Sequence, residues 1–232
     1  MNYGYGINNL PRESRIKLNI GDTYTFTTQE MVNLGDPIRI YTAPNISGLD
    51  LSEMGERLAV LTISNVYNDL LGSKLKTLIL GKVGMEYNSL ESISGLQNAN
   101  RLEVLEVSGM KKILSLDLSN QKQLKTLRTK GSGVNSIILA QACPISELEL
   151  SDNITTINFN QLPQLTYNNI QSDNNLANVY SINIINTPGV SNSWGFIWNW
   201  YQNKTKSDDV CNVNINQVNW QNVQTANLIT LI

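Results

Sequence analysis

The sequence predicts a β-rich solenoid, a chain of strands wound turn upon turn and closed by a different arrangement at each end. Three observations point there. A phrase of the form L-x-x-L-x-L recurs as Leu58-Leu61-Ile63, Leu75-Leu78-Leu80, Leu102-Leu105-Val107 and Ile145-Leu148-Leu150, with a degraded copy at Leu124-Leu127-Thr129. Half-way copies lie between these, at Ile113-Leu116-Leu118, Val134-Ile137-Leu139 and Ile154-Ile157-Phe159. Whole words also return: GLDLS (48–52) matches SLDLS (115–119), and KLKTL (74–78) matches QLKTL (123–127).

The spacing has a physical cause. L-x-L has a period of two, so both leucines face one side of a strand. The first Leu of the phrase turns into the same interior as the chain enters the strand. First positions fall at Leu102, Ile113, Leu124, Val134, Ile145, Ile154, Leu165 and Leu176. Two steps make about 21 residues, inside the roughly 20–29 of leucine-rich repeats. The predicted fold class is thus a leucine-rich-repeat solenoid, β-rich, with short irregular repeats of about 21 residues. Each turn puts one strand on one face and a second extended segment on the opposite face. A lone turn cannot bury its leucines, whereas stacked turns bury them against the neighbours above and below. An Asn three residues after the phrase is kept at Asn153, but Met110 and Ser132 take the equivalent places, so an Asn ladder does not hold the whole stack.

The elements follow in order. Residues 1–43 read as a strand-rich N-terminal cap or the end of a preceding domain, with strands over RIKLNI (15–20), YTFTT (24–28) and IRIYT (38–42) and turns at the GD and GDP steps. Residues 44–188 carry the repeats, with their longest irregularity over 58–90 and a loop near 81–88. Residues 189–232 read as a C-terminal helix-strand-helix cap. Trp194, Ile197, Trp198 and Tyr201 have helical spacing after a capping Ser191 or Ser193. VCNVNINQV (210–218) alternates as a strand, and a second helix follows Asn219. An open stack end exposes apolar surface and unpaired strand edges, which such a cap covers. The ending TANLITLI stops on apolar residues, as a segment of a longer protein would.

Composition narrows the function. The 232 residues carry a formal charge of -2 and no His. A nucleic-acid surface normally needs a basic patch, so no nucleic-acid partner is expected. The commonest general base and metal ligand is missing. Two cysteines, Cys143 and Cys211, make neither a disulfide framework nor a zinc site and read as small buried residues. No apolar run reaches the ~18–20 residues of a membrane span, so no membrane insertion is expected. The N-terminus lacks the apolar stretch of a secretory signal. Motifs for phosphate cradles, serine nucleophiles and zinc proteases are absent, so no catalytic residue, cofactor or metal is assigned.

The residues left for function are surface ones. Glu147 and Glu149 share one strand face, roughly 7 Å apart, a separation a glycosidase could use. The simpler reading is that they are outward positions of a strand. In-register stacking aligns Ile79, Glu106, Arg128 and Glu149 in one column, where Glu106, Arg128 and Glu149 alternate in charge. The column reads as surface stabilisation first and a partner-binding face second, and the candidate interaction face is Val104, Glu106, Thr126, Arg128, Glu147 and Glu149. Trp200 lies off the apolar face of its helix and is the candidate interface aromatic. The triplets NIS (45–47), NIT (153–155) and NKT (203–205) match glycosylation acceptors and read as chance in an Asn-rich chain.

The GLDLSEM opening (48–54), the Asn- and Ser-rich irregular turns and the ending VNINQVNWQNVQTANLITLI (213–232) are similar to leucine-rich-repeat modules in large virion and tail proteins of crAss-like gut bacteriophages. That resemblance implies a non-enzymatic structural or adhesive part, located in a virion. Its partners would be other subunits of a larger assembly, or a host surface protein or glycan. The alternative is a bacterial cell-surface leucine-rich-repeat adhesin, located on the cell surface. A carbohydrate-processing domain is suggested only by the Glu pair and the tryptophans.

Overall fold

The computed structural model describes residues 47–63, 74–159, 162–166, 179, 181–183 and 212–214. Over these the chain is strand-rich and its strands pair in parallel. Five short strands form the main sheet in the order β1 (Gly48–Asp50), β3 (Thr77–Ile79), β5 (Val104–Glu106), β7 (Thr126–Arg128) and β9 (Glu147–Glu149). The intervening strands form smaller parallel sheets. β2 (Leu61–Thr62) pairs with β4 (Ile93–Ser94), and β6 (Ser115–Leu118) pairs with β8 (Ser136–Leu139). β10 (Thr156–Asn158), β11 (Ser181–Asn183) and β12 (Asn212–Asn214) form a third set.

The register of the main sheet follows the leucines. Leu49, Leu78, Leu105, Leu127 and Leu148 are Cα partners in one row. Leu78, Leu105 and Leu127 are wholly buried. The first positions of the phrase, Leu75, Leu102, Leu124 and Ile145, are wholly buried too. Each such side chain contributes about 1.5–3 kcal/mol on leaving water. The pairing runs one residue beyond the strands at each end. Leu51, Leu80, Val107 and Thr129 each donate a backbone N–H to the last strand residue of the next turn, at 2.7–2.9 Å. Glu103, Lys125 and Ser146 donate to the residue before the strand of the preceding turn, at 2.7–2.9 Å.

Irregular positions are mostly satisfied one by one, although among the described residues the Gln121 Oε1 is buried without a hydrogen-bond partner. Thr129 stands where the phrase calls for Leu, and is buried. Its hydroxyl donates to Glu149 O at 3.1 Å and accepts from the Ser151 N–H at 2.8 Å. Asn153 donates its side-chain amide to Ser132 O, one turn back, at 2.8 Å. The NIT triplet at 153–155 thus holds a structural asparagine. Met110, at the equivalent place, is buried in the apolar core instead. The buried Gln121 amide donates to Leu96 O at 2.9 Å and Ala99 O at 3.4 Å, tying two turns through a side chain. Gly109 has φ 75°, and a Cβ there would stand 2.1 Å from Met85 O, so only glycine lets the turns close at this point.

One repeat belongs elsewhere than its letters suggest. Leu58-Leu61-Ile63 reads as a full copy of the phrase, yet Leu61–Thr62 pairs with Ile93–Ser94 in the second set of strands and takes no place in the main sheet. The strand that begins the main sheet is Gly48–Asp50, within the GLDLS word. The recurring D-L-S has a local cause. The Asp50 carboxylate accepts from the Ser52 N–H at 2.9 Å, and that of Asp117 accepts from the Ser119 N–H at 3.0 Å. Each bond closes a turn two residues on and ends a strand.

The strands expected over 15–20, 24–28 and 38–42, the two C-terminal helices, Cys211 and the aromatic group Trp194, Trp198, Trp200 and Tyr201 lie outside the described residues. Of the strand expected over 210–218, Asn212–Asn214 is described.

Candidate interaction face on the five-stranded sheet

Alternation along each strand sends the row Leu49 to Leu148 inward and leaves the flanking positions to face out. Two outward columns result. Gly48, Thr77, Val104, Thr126 and Glu147 form one, and Asp50, Ile79, Glu106, Arg128 and Glu149 form the other. All six residues of the candidate face, Val104, Glu106, Thr126, Arg128, Glu147 and Glu149, therefore lie on three adjacent strands. Thr126 is nonetheless buried, Val104, Glu106, Arg128 and Glu149 are half-buried, and of the candidate face Glu147 alone is exposed. The column Ile79–Glu106–Arg128–Glu149 has the register the sequence predicts.

Arg128 is the hub. It reaches Glu106 at 3.4 Å on one side and Glu149 at 3.5 Å on the other. It also donates through Nε to Glu147 Oε1 at 3.1 Å and through a terminal nitrogen to the same oxygen. Glu147 lies in the neighbouring column, so the alternating ladder is broader than the sequence suggests. Thr126 completes it, donating its hydroxyl to Glu147 Oε2 at 3.2 Å. The two carboxylates with the spacing of a glycosidase pair thus share one guanidinium.

The charges of the hub are not equivalent. Burial pushes the Glu106 carboxyl above its ordinary value, against the pull of Arg128. Burial also opposes the charge on Arg128, but Glu147, Glu106 and Glu149 together hold its pKa above the ordinary value. These ties are partly solvated, and pairs of this kind are worth up to about 1 kcal/mol each.

A second ionic column runs along the edge of the face, and the leucine pattern does not point to it. Glu103 Oε1 lies 2.8 Å from Lys76 Nζ, and Glu103 Oε2 lies 2.7 Å from Lys125 Nζ. Those three residues each precede a strand, so the same register aligns them. Lys125 and Lys76 hold the Glu103 carboxyl down at about 2. The KLKTL and QLKTL words contain both lysines, and that recurrence is the signal the sequence offers.

Trp200, the candidate interface aromatic, lies outside the described residues. Among the described residues no group of three or more His, Cys, Asp or Glu could hold a metal ion, and no helix is long and apolar enough to cross a membrane. Cys143 is buried, and burial raises its thiol pKa. Comparison with models of protein families, with curated proteins and with solved structures finds no match.

Proposed function

We propose that this chain is a non-enzymatic structural or protein-interaction module with a leucine-rich-repeat solenoid at its centre and a cap at each end. It serves as part of a phage virion or tail protein and mediates contacts with other subunits or a host surface. The observation that carries this reading is the outward face of the main sheet. Glu106, Arg128, Glu147 and Glu149 are held by one another on strands locked in register. Side chains already ordered lose little freedom on binding, so such a face suits a partner surface of complementary charge. The virion assignment rests on the resemblance of GLDLSEM and of the C-terminal ending to crAss-like phage modules.

Peptide mass spectrometry on purified virus-like particles and on the bacterial envelope of the same culture tests the reading. Peptides such as QLKTLR (123–128) in particles, at a fixed ratio to capsid protein, support the virion component. Peptides confined to the envelope overturn it in favour of a cell-surface adhesin. Within particles, Glu147→Gln together with Glu149→Gln should lower incorporation, while the isolated chain loses no more than about 1 kcal/mol per surface pair removed.

A further inference from the structure

The two sets of strands carry different surfaces. On the main sheet the polar side chains of β7 and β9 are engaged with one another and with Glu106 on β5. The second set is built otherwise. On β6 and β8, Leu116 and Leu118 pair in register with Ile137 and Leu139 against the core. Ser115 then lies opposite Ser136, and Asp117 opposite Ile138, on the outward side. β10 packs beside β8, and the phrase that aligns Val134 with Ile154 places Thr156 and Asn158 at the equivalents of Ser136 and Ile138. Two columns result, Ser115–Ser136–Thr156 and Asp117–Ile138–Asn158, and all six residues are exposed. The same two positions are Ser181 and Asn183 on β11 and Asn212 and Asn214 on β12, in register with Thr156 and Asn158.

This face is nearly neutral. No Lys, Arg or Glu occupies either column on the five strands. Its one acid, Asp117, closes its own turn by accepting from the Ser119 N–H at 3.0 Å. The chain from Gly131 to Ser146, which carries β8, has no charged residue at all. The face is also unengaged: among the described residues, the hydroxyls of Ser115, Ser136 and Thr156 make no hydrogen bond within the chain. Asn, which strands disfavour, holds the second column on β10, β11 and β12, so strand propensity does not explain the choice.

A hydroxyl or an amide both donates and accepts, so rows of them complement a ligand whose own groups do the same. A neutral sugar chain has that chemistry. Nucleic acid calls for cations that these columns lack. The Trp, Tyr and Arg anchors of a protein hot spot are missing from them too. Ile138, exposed among the hydroxyls, offers an apolar spot to the C–H face of a sugar ring. Neighbouring strands stand about 4.8 Å apart, close to the length of one ring, so successive turns can hold successive sugars. Each contact is weak, and repetition along the stack supplies the avidity.

We propose that the column Ser115–Ser136–Thr156 is the floor of a binding face for a neutral polysaccharide of the host surface. This deepens the reading of the chain as a contact module and rests on it. It gives the host contact to the second set of strands and leaves the Arg128 face to neighbouring subunits.

Affinity electrophoresis tests the face. Native gels are cast with surface polysaccharide extracted from the bacteria of the source culture, divided by anion exchange into a neutral and an acidic fraction. The 232-residue chain should migrate several-fold more slowly in the neutral gel than in a gel without polysaccharide. Ser115→Ala, Ser136→Ala and Thr156→Val combined should remove most of that retardation while the thermal melt stays close to the parent's. Ser136→Arg alone, which puts bulk over the middle of the column, should act in the same direction. Glu86→Gln, in the loop between β3 and β4, should be retarded like the parent. Unchanged migration of the parent in both gels, with the chain present in purified particles, overturns the polysaccharide face and leaves the contact module standing. Retardation that survives the substitutions, or that occurs only in the acidic gel, overturns the face as well. Absence of the chain from both particles and envelope overturns the contact reading itself, and the face with it.

Discussion

Leu105 and Glu106 are chain neighbours with opposite fates, and substitution at the pair tests the register directly. Leu105 lies on β5, the third of five strands, wholly buried in a row with Leu78 and Leu127. Leu105→Ala removes three carbons, which at about 0.8 kcal/mol each is about 2.4 kcal/mol of lost transfer energy. The walls of the resulting cavity are Leu residues on strands whose backbones are paired on both sides. They cannot collapse inward, so the cavity term is retained and the total reaches about 3–5 kcal/mol. That is a large share of the roughly 5–15 kcal/mol that holds a domain folded. Leu105→Asp, which puts a carboxylate into the same row, should prevent folding altogether. Glu106→Gln next door removes a partly solvated ion pair and should cost no more than about 1 kcal/mol. Urea unfolding followed by circular dichroism measures all three. A loss for Leu105→Ala below about 1 kcal/mol, or equal to that for Glu106→Gln, would refute the inward row.

Three further outcomes are expected. Gly109→Ala must place a Cβ against Met85 O at φ 75°, whereas Gly84→Ala at φ 83° meets open space. Thermal melts should therefore show the first variant destabilised well beyond the ~1–2 kcal/mol of the left-handed conformation, and the second by that amount alone. The Glu103 carboxyl, held at about 2 against an ordinary 4.5, contributes stability above pH 4.5 that is lost as pH falls toward 2. Lys125→Met should move the Glu103 titration upward, read from its side-chain carboxyl carbon by NMR. Arg128→Met strips the hub of its cation and leaves Glu106, Glu147 and Glu149 facing one another. That variant should gain stability relative to the parent as pH falls from 7 to 4, and a constant difference across that range would contradict the hub.

The main-sheet register was legible because leucine spacing and strand alternation are the same fact seen twice. Once Leu78, Leu105, Leu127 and Leu148 are inward, the Ile79–Glu106–Arg128–Glu149 column follows. The assignment of Leu58-Leu61-Ile63 failed for a related reason. Both sets of strands bury aliphatic residues with the same period, so the letters do not say which set a copy joins. Only its distance from paired neighbours does, and the chain between 58 and 75 breaks that spacing. Glu147 as a partner of Arg128 was hidden because a long guanidinium side chain reaches diagonally across columns that register alone treats as separate. Tyr87 was hidden because nothing in its local pattern shows that it reaches Ser52 O, in an earlier turn.

The irregularity of the turns and the regularity of the strands have one explanation. Each strand of the main sheet is three residues long, and its neighbours above and below supply the partners that fix it. A connection can therefore lengthen, as 80–92 does, without disturbing the row of leucines on either side. The cost falls on the backbone groups of the added residues. Here the Met85 N–H donates to Lys82 O, the Tyr87 N–H donates to Gly109 O and the Tyr87 carbonyl accepts from the Lys111 N–H, while side-chain ion pairs tie the loop to both adjoining turns. A polar residue can enter the interior on the same terms, as Thr129 and Gln121 do by donating to carbonyls of neighbouring turns. Core and surface are thus written in different positions of the repeat. The inward positions take aliphatic residues, or polar ones where a neighbouring turn supplies a hydrogen-bond partner. The outward columns and the loop tips are left to vary, and in this chain they carry the ion pairs of Arg128 and the exposed Val83 and Met85.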